Sequence, residues 1–243
     1  LQIIKKRLFF GLDNLKKLYL WGNSIKSIEE EGFYGLFSLN KLDLSIHFIK
    51  TINRKSFYGL NNLQKLNFSL NSINLIEEEA FHDLFSLTEL DLDNNLLESL
   101  NNTFLKGFEN AFLLKLSNNK INFIDDYSFY FLRNLKRLEL NNNLIIHISN
   151  SSLSYLNHLE YLNLQNNKIQ QLDKRSFSDL INLKFLFIGF NKIKLLYEFL
   201  LENLSNLIQL SLNQNQISKI YYRSFKNLNK LQILNLEDNC LFR

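Results

Sequence analysis

The chain has 243 residues, of which 46% are hydrophobic and 14% aromatic, so it can build a folded core and is not expected to be disordered. Its net charge is +4, and its 28 lysines and arginines are dispersed among 24 aspartates and glutamates. Because the basic residues form no block, we expect no nucleic-acid partner. No apolar stretch reaches the roughly 20 residues of a membrane span, so we expect none within these residues.

The chain repeats itself with a period of 24 residues. Residues 1–14 match the tail of a unit, nine full units occupy 15–230, and 231–243 begin another. A fixed period of this length predicts one continuous repeat array over 1–243. The ten unit starts, numbered position 1 below, are Leu15, Leu39, Leu63, Leu87, Ala111, Leu135, Leu159, Leu183, Leu207 and Leu231.

Each unit begins with a short strand. Positions 3 to 7, as in residues 41–45 (Lys-Leu-Asp-Leu-Ser), alternate polar and apolar, which is the period of a strand with one buried face. A strand so short cannot bury its leucines alone. Stacking of successive units therefore pairs the strands in parallel and leaves positions 3, 5 and 7 on a surface that we call the open face.

Asparagine recurs at position 9, where the chain leaves the strand. The chain has 7 glycines and no proline, so we expect the amides to close the turns by pairing with backbone groups of adjacent units. His47 occupies this column once, and we interpret it as structural. The asparagines are Asn23, Asn71, Asn95, Asn119, Asn143, Asn167, Asn191, Asn215 and Asn239.

A second column, at position 19, is aromatic and predicts a spine of stacked rings in the core. Leu105, Leu153 and Leu201 fill its gaps. The rings are Phe33, Phe57, Phe81, Phe129, Phe177 and Phe225.

The pattern LxxLxLxxNxIxxIxxxxFxxLxx, as in 159–182, resembles the typical 24-residue leucine-rich repeat of animal extracellular proteins, a family that includes Toll receptors, Slit-type guidance proteins, small proteoglycans and hormone-receptor ectodomains. The resemblance implies an α/β, right-handed leucine-rich-repeat solenoid. Its curved parallel sheet would lie on the concave face, with short turns or 3-10 segments on the convex face. It also implies protein binding and an extracellular or cell-surface location. The cysteine-rich caps usual in the family are missing, since Cys240 directly follows Asn239 without a cysteine cluster.

Large apolar side chains on the open face have no structural role there, so we expect them to contact a partner. Curvature that draws the rings partly into the core is the alternative. The principal patch comprises Tyr161, Phe185, Phe187, Phe190 and Ile208, and the secondary one comprises Tyr19 and Trp21.

Charged residues also cluster on the open face. Three carboxylates on one strand point the same way and are either a solvated face, an acidic docking patch or a weak calcium site: Glu89, Asp91 and Asp93. A column at position 3 gives a basic stretch beside them that can orient a partner: Lys17, Lys41 and Lys65.

Four Asn-x-Ser/Thr sequons are possible glycosylation sites: Asn67, Asn101, Asn150 and Asn203. This number is close to chance for so asparagine-rich a chain, so it does not indicate secretion. Asn67 falls on the open face, where a glycan would cover the third strand.

Nothing in the sequence predicts an enzyme, a metal or a cofactor. The four histidines have no paired spacing typical of a metal site, and no glycine-rich phosphate loop or nucleophile motif occurs. The leading hypothesis is a protein-binding ectodomain segment of a receptor, adhesion or matrix protein. The alternatives are a structural spacer without a hot spot and a Toll-like array that recognises a lipid or carbohydrate. The sequence leaves the ligand and the oligomeric state open.

Overall fold

Each 24-residue unit contributes one strand to a continuous parallel sheet. A computed structural model describes residues 1–101, 103 and 105–241. Neighbouring strands pair exactly one unit apart in register, as in Leu42 with Leu66. The ten strands are Lys17–Tyr19, Lys41–Asp43, Lys65–Asn67, Glu89–Asp91, Leu113–Lys115, Arg137–Glu139, Tyr161–Asn163, Phe185–Phe187, Gln209–Ser211 and Ile233–Asn235.

The convex side consists of turns and two-residue strands that pair in five small parallel sheets. The described residues contain no helix, so the predicted leucine-rich-repeat solenoid is confirmed as a parallel-sheet solenoid whose convex connections are turns. It follows that no helix among these residues is long and apolar enough to cross a membrane. The convex strands are Ile3–Ile4, Ser27–Ile28, Thr51–Ile52, Leu75–Ile76, Ser99–Leu100, Phe123–Ile124, His147–Ile148, Gln171–Leu172, Leu195–Leu196 and Lys219–Ile220.

The apolar positions of each unit converge on one core. In the unit that begins at Leu39, the side chains at positions 4, 6, 11 and 14 are all fully buried: Leu42, Leu44, Ile49 and Ile52. Each buried aliphatic side chain stabilises the fold by roughly 1.5 to 3 kcal/mol. Because these positions repeat, the core runs without interruption from one unit to the next.

The strands are three residues long, shorter than the five predicted, and the chain turns sharply at position 8. All ten residues at this position have a positive φ, from Gly22 to Asp238. Asparagine tolerates this left-handed conformation, whereas a β-branched residue is strained in it. Ile46 nevertheless adopts it with φ +60°, and its amide donates to the Ser69 carbonyl at 3.0 Å. Pairing between units therefore extends past the end of the strand.

The predicted asparagine ladder lies immediately after this turn. The Asn143 Nδ2 donates to the carbonyls of Leu140 in its own unit and Leu116 in the preceding one, at 3.1 and 2.9 Å. Its Oδ1 accepts the Ile121 amide at 3.0 Å. His47 pairs its Nδ1 with the Asn23 carbonyl at 2.8 Å, but its buried Nε2 has no partner. His47 is thus structural and an incomplete substitute for asparagine.

Rings of the predicted phenylalanine spine stack where they occupy successive units. Phe33 stacks on Phe57 with ring centroids 5.9 Å apart, and Phe57 stacks on Phe81 at 5.8 Å. Where Leu105 interrupts the column, Phe108 tilts against Phe81 at 4.9 Å and fills the space. The added volume of Phe108 at position 22 is offset three residues later by the small Ala111 at position 1.

Substitution of Ile46 by asparagine is expected to raise the free energy of unfolding by about 1 kcal/mol, because it places a residue that tolerates positive φ at a strained turn. Urea denaturation measures the change. Phe48→Asn is the control, since Phe48 is likewise exposed but lies outside the left-handed turn. Equal stability of the two variants would show that the turn stores no strain.

Substitution of Asn143 by alanine is expected to destabilise the array by about 3 kcal/mol, because it leaves two carbonyls and one amide without their side-chain partner in the core. Thermal unfolding followed by circular dichroism reports the loss. Asn122→Ala makes the same chemical change at an exposed position outside the ladder and should alter stability little. A similar loss in both variants would contradict the ladder's structural role.

Candidate functional site

Pairing in register sets the open-face side chains in rows across the sheet. Positions 3, 5 and 7 of the first six complete units carry ten charged residues, whereas the next three units, 159–230, carry none there. The open face therefore has a charged part and an uncharged part, which meet between the adjacent strands Arg137–Glu139 and Tyr161–Asn163.

Most charges of the charged part are neutralised by ion pairs. Lys65 contacts Glu89 at 2.6 Å, and Lys115 contacts Asp91 at 3.0 Å, each pair linking adjacent strands. Burial alone would lower the pKa of Lys115, but its hydrogen bond to Asp91 and the surrounding carboxylates raise it. The charged part is consequently already ordered by contacts within the chain.

Asp93 is the most perturbed carboxylate of this region. Burial and the nearby charge of Asp91 raise its pKa to about 6, although the Ser117 amide donates to it at 2.6 Å and opposes the shift. The three carboxylates predicted from the sequence, Glu89, Asp91 and Asp93, share one strand and its extension. Two of them are engaged by lysines. Among the described residues, no group of three or more histidines, cysteines, aspartates or glutamates is arranged to hold a metal ion.

The structure brings together the rings of the principal aromatic patch. Tyr161 lies with its ring centroid 5.3 Å from that of Phe187 and 6.3 Å from that of Phe185, both at tilted angles. All three side chains are half-buried, so curvature hides part of each ring and leaves the rest on the open face. Partial burial, the alternative interpretation of the sequence, describes these rings, and their contact with a partner stays a prediction.

The other two patch residues lie at its margins. Phe190 occupies the left-handed turn with φ +56° and is 46% exposed, while Ile208 is half-buried beside the following strand. Between them, Gly189 allows a close approach, since an added Cβ would lie 2.5 Å from the Asn213 Oδ1. The glycine therefore keeps the sheet tightly packed next to the patch.

Arg137 contacts the candidate patch, and the sequence interpretation missed it. Its guanidinium lies 3.9 Å from the centre of the Tyr161 ring, and its Nε donates to Glu139 at 2.6 Å. This cation–π contact places the arginine against the patch at the border of the charged part. Its position 3, one strand before Tyr161, was the available signal.

The secondary contacts lie on the first complete strand and its extension. Tyr19 and Trp21 are 50% and 60% exposed, and the Lys41 ammonium lies 5.2 Å from the Tyr19 ring centre. About five strand spacings, or roughly 24 Å, separate Lys41 from Tyr161. The two aromatic groups are thus distinct areas of one surface.

The sequons differ in their surroundings. Asn67 is half-buried on the open face, and its Oδ1 accepts the Ser69 amide at 2.9 Å. Asn101 accepts from the Thr103 amide and hydroxyl, while the middle residue of this sequon lies outside the described residues. Asn150 and Asn203 are exposed; the Asn203 Nδ2, the atom that would carry a glycan, donates to the Ser178 carbonyl at 3.0 Å.

A further aromatic row, also missed from the sequence, follows position 20 on the flank of the solenoid. Phe10 stacks on Tyr34 with centroids 6.5 Å apart, and Tyr34 stacks on Tyr58 at 5.9 Å. Phe37 packs edge-on against Tyr34 at 5.5 Å. The 24-residue spacing of these rings in the sequence was a sufficient signal for the row.

The fold is shared with solved structures. The structure of the Toll–Spatzle complex of Drosophila contains a chain with a TM-score of 0.90 and 24% identity over 98% of this chain and 32% of that one. The leucine-rich repeat domain of APL1B has a TM-score of 0.78 and 21% identity, over 93% of this chain and 65% of that one. The leucine-rich repeat protein LIC12759 of Leptospira interrogans has a TM-score of 0.77 and 26% identity, over 98% of this chain and 64% of that one. The chain thus spans from one to two thirds of the length of these chains.

A search of curated proteins found no match. The family model described as "Leucine rich repeat" matches residues 1–46, 37–97, 85–145, 133–193 and 188–241, which together cover nearly the whole chain. The ladder, the spine and the parallel sheet supply the physical basis of that match, and the chain belongs to the leucine-rich repeat family.

Proposed function

We propose that the chain is a protein-binding segment of a receptor, adhesion or matrix protein, located outside the cell or on its surface, and that it recognises its ligand on the concave open face. Leucine-rich-repeat solenoids are non-enzymatic interaction scaffolds. One structural neighbour is a chain of the complex between Toll and Spatzle. That likeness agrees with a protein ligand for this chain.

The uncharged aromatic part of the open face is the observation that carries the proposal. Tyr161, Phe185 and Phe187 present partly exposed rings that already contact one another, so binding would cost little side-chain entropy. Asn163 and Gln209 flank them with amides that can donate and accept. Aromatic anchors surrounded by neutral polar groups are typical of protein-binding hot spots.

The four sequons belong to the same proposal. A chain that is exported would carry glycans preferentially at the exposed Asn150 and Asn203, whereas a glycan at Asn67 would occupy the charged part of the open face. The aromatic patch lies four strands from Asn67 and would stay accessible. Binding through Tyr161 and Phe187 is therefore compatible with glycosylation.

Replacement of both Tyr161 and Phe187 by alanine is expected to reduce retention of a protein ligand at least thirtyfold, because loss of a hot-spot anchor costs about 2 kcal/mol or more. The measurement compares proteins that the immobilised chain retains from the extracellular fluid of its source, quantified by mass spectrometry. The matched control replaces Tyr58 and Phe85, two exposed flank aromatics, by alanine. Circular dichroism verifies that both double variants fold.

Equal retention by the two double variants and the original chain would contradict the proposal and favour a spacer without a hot spot. Retention of lipid or glycan in place of protein, with the same dependence on Tyr161 and Phe187, would instead favour Toll-like recognition of those ligands. Loss of protein retention in the patch variant alone supports the proposal.

A further inference from the structure

The first three strands of the sheet hold a basic cleft that the aromatic patch does not include. Lys17, Lys41 and Lys65 are direct neighbours across parallel strands, since Lys17 pairs with Lys41 and Lys41 with Lys65 in register. Like charges at directly opposed positions destabilise a sheet. The fold alone therefore gives no reason for three lysines in one row.

Two of these lysines lack a compensating carboxylate. Lys65 contacts Glu89 at 2.6 Å, but among the described residues neither Lys17 nor Lys41 has a carboxylate oxygen within 4.0 Å of its ammonium. The nearest acidic residue along the strand, Asp43, accepts instead from the amide and hydroxyl of Ser45 at 3.0 and 2.7 Å. Positive charge thus remains available at this end of the open face.

The lysines line an open cleft with a volume of about 330 Å³. Its other lining residues are Asn40 and Gln64, so it contains hydrogen-bond donors and no carboxylate. The amides are suited to pair with a peptide backbone, which offers both acceptors and donors. Exposed Tyr19, which lies beside Lys41, offers a neighbouring apolar contact.

We infer that this cleft binds an acidic peptide segment. The inference rests on the proposed function, because the segment would belong to the protein that the open face recognises. An acidic peptide fits better than a long sulfated glycan, because Asp43 and Glu89 border the cleft and reduce its positive charge. The remaining charge matches a segment with a few carboxylates. The acidic side chains would contact Lys17 and Lys41, and the backbone would lie along Asn40 and Gln64.

The probe is a fluorescein-labelled peptide of sequence Ser-Glu-Glu-Phe-Glu-Glu-Ser, compared with an uncharged peptide that has glutamine at every glutamate. Fluorescence polarisation measures binding to the whole chain. We expect the uncharged peptide to bind at least tenfold more weakly. Binding of the acidic peptide should weaken as salt rises from about 0.01 to about 0.1 M, because the screening length falls from about 30 to about 10 Å.

Substitution of both Lys17 and Lys41 by glutamine should weaken binding of the acidic peptide about fivefold, as expected for two exposed charge contacts. The matched control is Lys168→Gln with Lys192→Gln, which removes two exposed lysines with the same 24-residue spacing outside the open face. The control should change binding less than twofold. Thermal unfolding confirms that both double variants fold.

Three results would overturn the inference: absence of binding, equal weakening by both lysine pairs, or tighter lysine-dependent binding of a heparin octasaccharide than of the acidic peptide. The Tyr161→Ala, Phe187→Ala variant separates failure of the basic-cleft inference from failure of the proposed function. It should retain the acidic peptide undiminished. If the original chain fails to bind the acidic peptide but retains protein in a way that depends on the patch, the basic cleft alone is overturned. If the chain binds the peptide but its protein retention does not depend on the patch, the proposed function is overturned.

Discussion

The structure depends on how the chain leaves each strand. Position 8 turns through a left-handed conformation, and in nine of the ten units the next residue is an asparagine. The side chain of Asn143, for example, reaches the backbone of its own unit and the preceding one. Buried backbone groups must be paired, and here side-chain amides supply what a regular hydrogen-bond ladder cannot. Because an amide such as that of Asn143 connects two units, the same contacts close the turn and set the stacking register.

This register has a direct consequence for recognition. Every strand is displaced from its neighbour by one 24-residue unit, so open-face residues at equal positions lie side by side. A row can therefore contain side chains of one chemical type on several neighbouring strands. Lys17, Lys41 and Lys65 form such a row, and so do Tyr161 and Phe185. Neither grouping requires any rearrangement of the backbone.

The period was sufficient to predict the parallel sheet, the core, the asparagine ladder and the spine, since each follows from where apolar and amide residues recur. The details of the open face depend on side-chain conformations that a period does not determine. Arg137 lies against Tyr161 because its Nε is held by Glu139, and the sequence alone does not reveal that geometry. Phe190 lies at the margin of the patch because it occupies the left-handed turn.

The fold constrains the two faces of each strand unequally. Position 4 must be apolar, as Leu42 and Leu186 are, because its side chain fills the core between adjacent units. Positions 3 and 5 contribute little to that core, so the fold tolerates lysine, aspartate or phenylalanine there. The absence of charge from nine successive open-face positions in units 159–230 is thus not imposed by packing. Surface exposure by itself favours charged residues. An uncharged, aromatic area on a face that the fold leaves unconstrained therefore supports the proposal that this area contacts a partner.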